Sequence, residues 1–374
     1  MSSQEFDVLL LDVCGIGQHD GAQVARGRRG EDGAGISLAR QKGETARVID
    51  VRVREDDSVD GRRVDGEVRV DLARDRATPL EETVNYHLTM AGQAAGFEHI
   101  GLYNTTCARM GDPTAGRERP PENRESPETW GMEPARVFDQ LYWLGEYPAF
   151  ESNPGAWGLN TSEGIIVLDA NFDYSVEQTV AEGLRKMGLD PNDIEYVLIS
   201  HGHRDHWGGA RHLQDEYGAT VLISEADWEF ITANGYDDSM PNPDMLQFIH
   251  DGDTLTLGDT SIRMYVTPGH TPGTVSYFVP LTDNGEPHVA AVWGGTGLAF
   301  RANSSKEQKL EAFRQYNESA MRFRELVREA GADVMLGNHS YLVLAEEKNA
   351  ILANRQPGDA NPYVLGHERT VDYM

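Results

Sequence analysis

The stretch ISHGHRDHWGG, residues 199–209, places three histidines and an aspartate within six positions, directly behind an apolar run. A single residue separates His201 from His203, so on an extended segment both side chains point to the same side. If the chain then turns, Asp205 and His206 reach the same cavity from the other side. Neutral imidazole nitrogens and a carboxylate suit zinc. The stretch therefore predicts a zinc site; the alternative is a polar turn whose side chains cap the next helix.

Two later histidines also follow predicted strands. His270 stands in VTPGHTPGT (266–274), between two Pro-Gly turns, and His339 follows the last apolar run in VMLGNH. Taken singly, each could be a capping or core histidine. In this order behind the first motif, both are interpreted as further metal ligands. The histidines without such a placement are interpreted as surface residues: His212, His250, His288 and His367.

Short apolar runs alternate with helical stretches from about residue 130 onwards. Because strands with helices on their outer faces form layers, this order predicts an α/β domain. Strands are expected at 164–170, 194–200, 219–224, 253–270, 274–280, 288–295 and 332–339. Helices are expected at 175–188 with Ser175 as N-cap, at 208–218, and at 319–331 with its end at Gly331.

The pattern His-x-His-x-Asp-His, with Ser200 before it and two glycines after it, resembles the metallo-β-lactamase superfamily over roughly residues 130–370. The resemblance implies an αββα sandwich. It also implies two zinc ions per chain, the first held by His201, His203 and His270, the second by Asp205, His206 and His339. A water shared by the ions would become a hydroxide that attacks an amide or ester carbonyl. Asp205 would orient that hydroxide and is the expected catalytic residue.

Residues 292–300, VWGGTGLAF, depart from many members of this superfamily. Glyoxalase II-like thioesterases, lactonases and nucleases carry an aspartate in this region that bridges both metals, and another lactamase subclass carries a cysteine. Here Thr296 stands at that position, which matches class B, subclass 3 metallo-β-lactamases. The segments GGTGL, AGADVMLGNH and NPYVLG, with residues 130–145, also resemble that group. The second zinc is held more weakly in such a site, so partial occupancy or operation with one ion stays open.

The surroundings of the ions are less defined by the sequence. Asp169 matches a superfamily position at which a carboxylate braces the metal ligands. It could equally be a buried aspartate at a strand end that bonds backbone amides. Thr296 is a further candidate for the surroundings or for substrate contact. Four more residues are candidate pocket walls, although aromatic residues in such a fold more often belong to the core: Trp157, Asn160, Trp228 and Tyr341.

The expected function is a zinc-dependent hydrolase that opens β-lactam rings. A lactonase, esterase or thioesterase with the same machinery is the alternative. A nuclease or phosphodiesterase is disfavoured by the missing bridging acid and by the absence of a basic patch for a phosphate backbone. A non-catalytic metal-binding protein is the fourth possibility, and six ligand candidates argue against it.

The composition narrows the possible partners. Sixty-one acidic residues oppose 33 basic ones, for a net charge of −28, and only five of the basic residues are lysines. An acidic, lysine-poor surface favours a halophilic source; an ordinary acidic protein is the alternative. At low salt this charge repels nucleic acids and anionic membranes. A small-molecule substrate is what the resemblance to the superfamily implies. No apolar run reaches the roughly 18 residues of a membrane helix, and the N-terminus lacks the basic start of a signal peptide. A cytoplasmic location is therefore expected, with secretion possible only if the start is misassigned.

The chain is expected to have three parts. Residues 1–110 mix charge with glycine and predict an extension that is weakly ordered or separately organised. Residues 111–129, GDPTAGRERPPENRESPET, are rich in proline, glycine and glutamate and predict a linker. Residues 130–370 form the predicted catalytic domain. The two cysteines lie far apart in the sequence, so we expect neither a disulfide framework nor a thiolate metal cluster.

Overall fold

The computed structural model describes residues 133–146, 154–233, 235, 239–297 and 305–374, with the backbone of five short strands before them. These strands form an antiparallel three-stranded sheet and a separate two-stranded hairpin. The predicted linker at 111–129 and most of the predicted extension lie outside the described residues, so the three-part division stays a prediction. The five strands are β1 (Ala22–Arg26), β2 (Ile36–Arg40), β3 (Val48–Ile49), β4 (Asp60–Val64) and β5 (Glu67–Asp71).

A seven-stranded sheet forms the first half of the main unit, in the order β12-β11-β10-β9-β8-β7-β6. Strands β9 to β12 run parallel, while β6 to β9 pair antiparallel. The strands are β6 (Ala135–Arg136), β7 (Leu141–Glu146), β8 (Gly155–Thr161), β9 (Gly164–Leu168), β10 (Ile194–Leu198), β11 (Thr220–Ser224) and β12 (Leu246–Ile249).

A five-stranded sheet forms the second half, in the order β13-β14-β15-β16-β17. Its first four strands are antiparallel, and β17 pairs parallel with β16. The strands are β13 (Thr254–Leu257), β14 (Thr260–Val266), β15 (Val275–Asp283), β16 (Glu286–Val292) and β17 (Val334–Leu336).

Eight α-helices are found in the described part of this unit, and none of them is both long and apolar enough to cross a membrane. They are α1 (Glu182–Lys186), α2 (Arg204–Trp207), α3 (Ala210–Tyr217), α4 (Glu225–Ala233), α5 (Lys306–Ala330), α6 (Ser340–Val343), α7 (Ala345–Ala353) and α8 (His367–Asp372).

Alternation along the strands explains how the layers pack. In β9, Ile166 and Leu168 join the core between the two sheets, whereas Ile165 and Val167 face the other way, towards α1 and α3. The second sheet behaves alike: its outward face packs on α5 and α8 in a separate cluster that includes Phe278. Helices therefore cover both outer faces of two stacked sheets. The prediction of an αββα sandwich is confirmed.

Two predicted helices differ from the observed ones. Helix α5 is about twice as long as predicted, because its first half is mostly charged and polar, with Leu310, Phe313 and Tyr316 as its only large apolar residues. A capping box between Ser305 and Gln308 starts it, and Gly331, with φ 65°, ends it as predicted. The helix predicted at 175–188 begins with a π-helical turn, Glu177–Ala181, before α1, and the Ser175 side chain does not cap it. The Ser175 hydroxyl instead donates to the Phe172 carbonyl.

Candidate metal centre

Four of the six predicted ligands lie in loops that follow strands, and the other two lie on a short helix. His201 and His203 follow β10, and the short helix α2 then carries Asp205 and His206. The extended backbone at His203 ends where α2 starts, so the turn expected from the sequence lies between the two pairs. Of the remaining two, His270 follows β14 and His339 follows β17. The ends of strands from both sheets therefore supply the donors.

The structure brings these six side chains together in two groups. His201, His203 and His270 form one group, and Asp205, His206 and His339 form the other. In each group the candidate ligand atoms all lie within 4.8 Å of one another. The rings of His201 and His206 are 4.0 Å apart between centroids, so the two groups adjoin.

Backbone and carboxylate oxygens hold one nitrogen of three of these rings. Nδ1 of His201 lies 2.8 Å from the Gly294 carbonyl, and Nδ1 of His270 lies 2.8 Å from the Gly297 carbonyl. Nδ1 of His206 lies 2.8 Å from Oδ2 of Asp169. Because each acceptor favours a proton on Nδ1, the lone pair is left on Nε2. All three rings are thereby arranged to offer Nε2 to a metal.

The Nε2 atoms fit a bound cation. Nε2 of His201 and Nε2 of His270 are 3.2 Å apart, and two lone pairs at that distance repel unless a positive charge lies between them. Two nitrogen ligands of a tetrahedral zinc, at 2.0–2.1 Å from the ion, are separated by about 3.3 Å. Nε2 of His206 is buried and makes no hydrogen bond within the described part of the chain. The donor set and these contacts suit zinc.

Burial lowers the imidazole pKa in both groups, and the neighbouring charges make the difference between them. Burial and the neighbouring imidazoles lower the pKa of His201, and burial lowers that of His270 to about 3. Burial also acts to lower the pKa of His206, but the carboxylates of Asp205 and Asp169 outweigh it and raise that pKa to about 10. The first group is thus neutral and free to bind a metal. The second favours a positive charge, either a proton or a metal ion.

Asp169 joins the ligands to the strands behind them. Its Oδ1 accepts the Ser200 backbone N–H at 2.7 Å, and its Oδ2 accepts the Ser200 hydroxyl at 2.8 Å beside the contact with His206. The sequence left open whether Asp169 braces a candidate ligand or bonds a backbone amide. In the structure its carboxylate makes both contacts, one with His206 and one with the Ser200 N–H. Asn338, which the sequence reasoning missed, donates to the Ser200 hydroxyl at 3.1 Å and to the Gly294 carbonyl at 3.0 Å.

The remaining predicted residues are less uniform. Thr296 is half-buried. It lies between Gly295, which packs on the His270 ring, and Gly297, whose carbonyl is hydrogen-bonded to Nδ1 of that ring. Tyr341 stacks on the His339 ring at 5.5 Å and so lies beside the site. Trp157 does not line a pocket: it is buried between the sheets and donates to the Gly337 carbonyl at 2.9 Å. Trp228 packs against the helix-side core, and Asn160 is half-buried at the end of β8.

Sequence reasoning also missed Asp227, a buried residue in α4 that bonds two of the ligand loops. The only signal was the spacing Ser224-x-x-Asp227, which predicts an ordinary helix cap. Ser224 does cap the helix, since its hydroxyl accepts the Asp227 N–H at 3.2 Å. The Asp227 carboxylate, however, points towards the loops of the metal centre, and no local sequence pattern predicts that direction.

Comparison with known proteins agrees with this geometry. Residues 156–283 match the model of the Metallo-beta-lactamase superfamily, and the chain contains a domain of that superfamily. Its relatives include hydroxyacylglutathione hydrolases. That of Brucella anthropi is 27% identical over 113 residues, 30% of this chain and 38% of the relative. That of Klebsiella pneumoniae is 25% identical over 174 residues, 46% of this chain. The matched stretches span 38% and 59% of the lengths of these two relatives.

Solved structures with the same fold include two metallo-β-lactamases. The FEZ-1 enzyme of Legionella gormanii is 22% identical with a TM-score of 0.55, and the match covers 65% of this chain and 92% of that one. BJP-1 of Bradyrhizobium japonicum, a subclass B3 enzyme, is 24% identical with a TM-score of 0.52, covering 66% and 90%. At these identities the likeness establishes the fold.

Proposed function

We propose that the chain is a zinc-dependent hydrolase that acts on a strained or activated acyl carbonyl. His201, His203 and His270 would hold one zinc ion, and Asp205, His206 and His339 a second. The observation that carries the proposal is the 3.2 Å approach of two imidazole Nε2 atoms whose Nδ1 atoms are each held by a carbonyl. Such a pair favours a Lewis-acid cation over a hydrogen bond between the rings.

The side chains of this chain have separate tasks in the proposed reaction. Zinc, when bound, supplies a nucleophile at neutral pH and stabilises negative charge on the substrate oxygen. Asp205 is partly exposed beside His206, with Oδ2 of Asp205 3.5 Å from Nε2, and its pKa is held well below the usual range by the charge of that imidazole against the effect of burial. It is therefore ionised and able to orient a nucleophile. Asp169 fixes the ring of His206 from behind.

The region after β16 supports β-lactam opening as the specific reaction. The described residues from Val292 to Gly297 include no carboxylate and no thiolate that could bridge two metals. The solved structures of like fold are named metallo-β-lactamases, one of subclass B3. A second candidate is thioester hydrolysis, because the relatives found by sequence are named hydroxyacylglutathione hydrolases.

Metal analysis combined with a substrate panel tests the proposal. We expect close to two zinc ions per purified chain and turnover of the chromogenic cephalosporin nitrocefin. An acylated glutathione thioester tests for thioesterase activity, a homoserine lactone for lactonase activity, and single-stranded RNA for nuclease activity. His201→Ala is expected to lose zinc and activity together. His250→Ala, which changes an exposed histidine bonded to Asp253, is the matched control and should keep both. A chain that binds no zinc and hydrolyses none of these compounds would refute the proposal.

We propose further that the acidic composition is an adaptation to concentrated salt and that the substrate is a small molecule. A net charge of −28 with five lysines supports the first statement, because salt screens the self-repulsion that this charge causes, and it supports the second because the same charge repels nucleic acids. Thermal unfolding in rising potassium chloride is the test. Stability should increase steadily to molar concentrations, and a melting temperature that is independent of salt would contradict the adaptation.

A further inference from the structure

Asp227 joins the two loops that carry the three-histidine group. Its Oδ2 accepts the Gly202 N–H at 2.7 Å and the Thr271 hydroxyl at 2.6 Å, and its Oδ1 accepts the Gly273 N–H at 2.8 Å. Gly202 lies between His201 and His203 in the sequence, and Thr271 follows His270. One carboxylate therefore holds backbone or side-chain donors next to all three members of the group.

Close packing fixes the carboxylate in this place. A Cβ atom at Gly202 would lie 3.2 Å from Cγ of Asp227 and 2.8 Å from the ring of Phe230. A Cβ atom at Gly273 would lie 2.5 Å from the Asp227 amide nitrogen and 2.0 Å from the Ser224 hydroxyl. Both loops thus need glycine at the point where they approach Asp227. A larger residue at Gly202 or Gly273 would push its loop away from Asp227.

A carboxylate is the side chain that suits three donors. Each ionised oxygen only accepts, whereas an amide of the same shape would turn N–H groups towards at least one of the three donors. The three hydrogen bonds are made with almost no exposure to solvent, since Asp227 is buried. Leaving any of the three donors unsatisfied would favour movement of its loop.

We infer that Asp227 is a positioning residue that holds His201, His203 and His270 at the separation needed to share one metal ion. The inference rests on the zinc site proposed above and adds a residue to it. Asp227 is not a ligand in either group and is not expected to touch the substrate. Asp227 acts on the metal only through the two loops. Its loss should therefore weaken binding of the first ion and leave the donors of the second ion in place.

The test measures zinc affinity by competition with a chromophoric chelator. Asp205→Ala serves as the background, because it removes a ligand of the second group and isolates the first ion. In that background we expect Asp227→Asn to weaken zinc binding by about 10- to 100-fold, the range known for residues behind metal ligands. Thr271→Val removes one of the three hydrogen bonds and should give a smaller loss, which keeps the test informative should Asp227→Asn fold poorly.

Asp283→Asn is the matched control for general destabilisation. Asp283 is a partly buried carboxylate that bonds the Arg355 guanidinium at the far end of β15, away from the metal centre. We expect it to lower the melting temperature of the metal-free protein but to keep the zinc affinity. Unchanged affinity in both Asp227→Asn and Thr271→Val would overturn the inference while the zinc site stands. Absence of zinc binding by the unaltered chain would instead overturn the proposed function.

Discussion

Asp169→Asn separates the electrostatic role of Asp169 from its backbone role. Asp169 has φ 61°, a left-handed conformation that asparagine tolerates at least as well as aspartate, so the substitution adds no backbone strain. The amide can accept from His206 and from the Ser200 hydroxyl with its oxygen. Its NH₂ group then faces the Ser200 backbone N–H, which at present donates to Oδ1 at 2.7 Å. One buried amide is left without an acceptor, and the negative charge behind His206 is lost.

These losses can be estimated. An unsatisfied buried donor costs about 1–3 kcal/mol, and losing the charge assistance in the bond to His206 brings the destabilisation to roughly 2–4 kcal/mol. For a unit of this size 1 kcal/mol corresponds to roughly 2–4 °C, so the melting temperature should fall by roughly 4–16 °C. Because Asp169 also raises the affinity of His206 for positive charge, zinc should bind the second group about 10- to 100-fold more weakly.

Thermal unfolding of the chelator-treated protein and zinc competition measure the two effects separately. Asp173→Asn is the control, because this exposed carboxylate four residues later bonds only the Arg204 side chain among the hydrogen bonds of the described residues. The control should change stability by no more than about 0.5 kcal/mol, as surface substitutions do. If Asp169→Asn melts and binds zinc like the unaltered chain, Asp169 does not brace the site and the reasoning fails.

Three further substitutions test other parts of the chain. Asp205→Ala should keep the fold, checked by circular dichroism, while kcat falls on the order of 10²- to 10⁴-fold because the nucleophile loses its orienting carboxylate; near-normal turnover would argue against that role. Gly295→Ala should weaken zinc at the three-histidine group, because the new Cβ would lie 2.4 Å from Cδ2 of His270, and equilibrium dialysis measures the loss. Glu177→Gln tests pH dependence: burial acts to raise the pKa of Glu177, but hydrogen bonds from Arg185, His212 and Tyr217 lower it to about 2 from 4.5. The ionised form therefore stabilises the fold above pH 4.5, and this contribution is lost as the pH falls towards 2. The stability difference between the unaltered chain and the variant should shrink over that interval in acid titrations of unfolding, and a constant difference would contradict the assignment.

The sequence predicted the six candidate ligands because their positions follow from strand geometry. His201 and His203 are separated by one residue after an apolar strand, and period two places such a pair on one side. His270 and His339 were found because each follows a later predicted strand of the same domain. Grouping all six required the resemblance to a known fold, since no spacing in the sequence states that β14 and β17 of the second sheet end close to the end of β10 in the first.

Contacts between distant segments could not be predicted in the same way. Trp157 is a core residue because Trp143 packs on it edge-to-face at 4.9 Å, a contact across two strands that composition does not reveal. Asp227 looks like a helix cap locally, and its role depends on loops 25 and 46 residues away in sequence. The first half of α5 was missed because charged and polar residues dominate it and leave only a sparse apolar pattern.

The metal centre is held together by hydrogen bonds that do not involve a metal, and this leads to a last prediction. The Ser200 N–H donates to Asp169, which directly follows β9 of the first sheet, and the Ser200 carbonyl accepts the Val275 N–H of the second sheet at 2.7 Å. The two sheets are thus tied directly beside His201. The ligand loops should therefore keep their arrangement without zinc, so that the site is preorganised. Near-ultraviolet circular dichroism of the chelator-treated protein should match that of the zinc-loaded protein closely, with activity lost and then restored by added zinc. A large spectral change on metal removal would mean that zinc, rather than the pairing of the sheets, shapes the site.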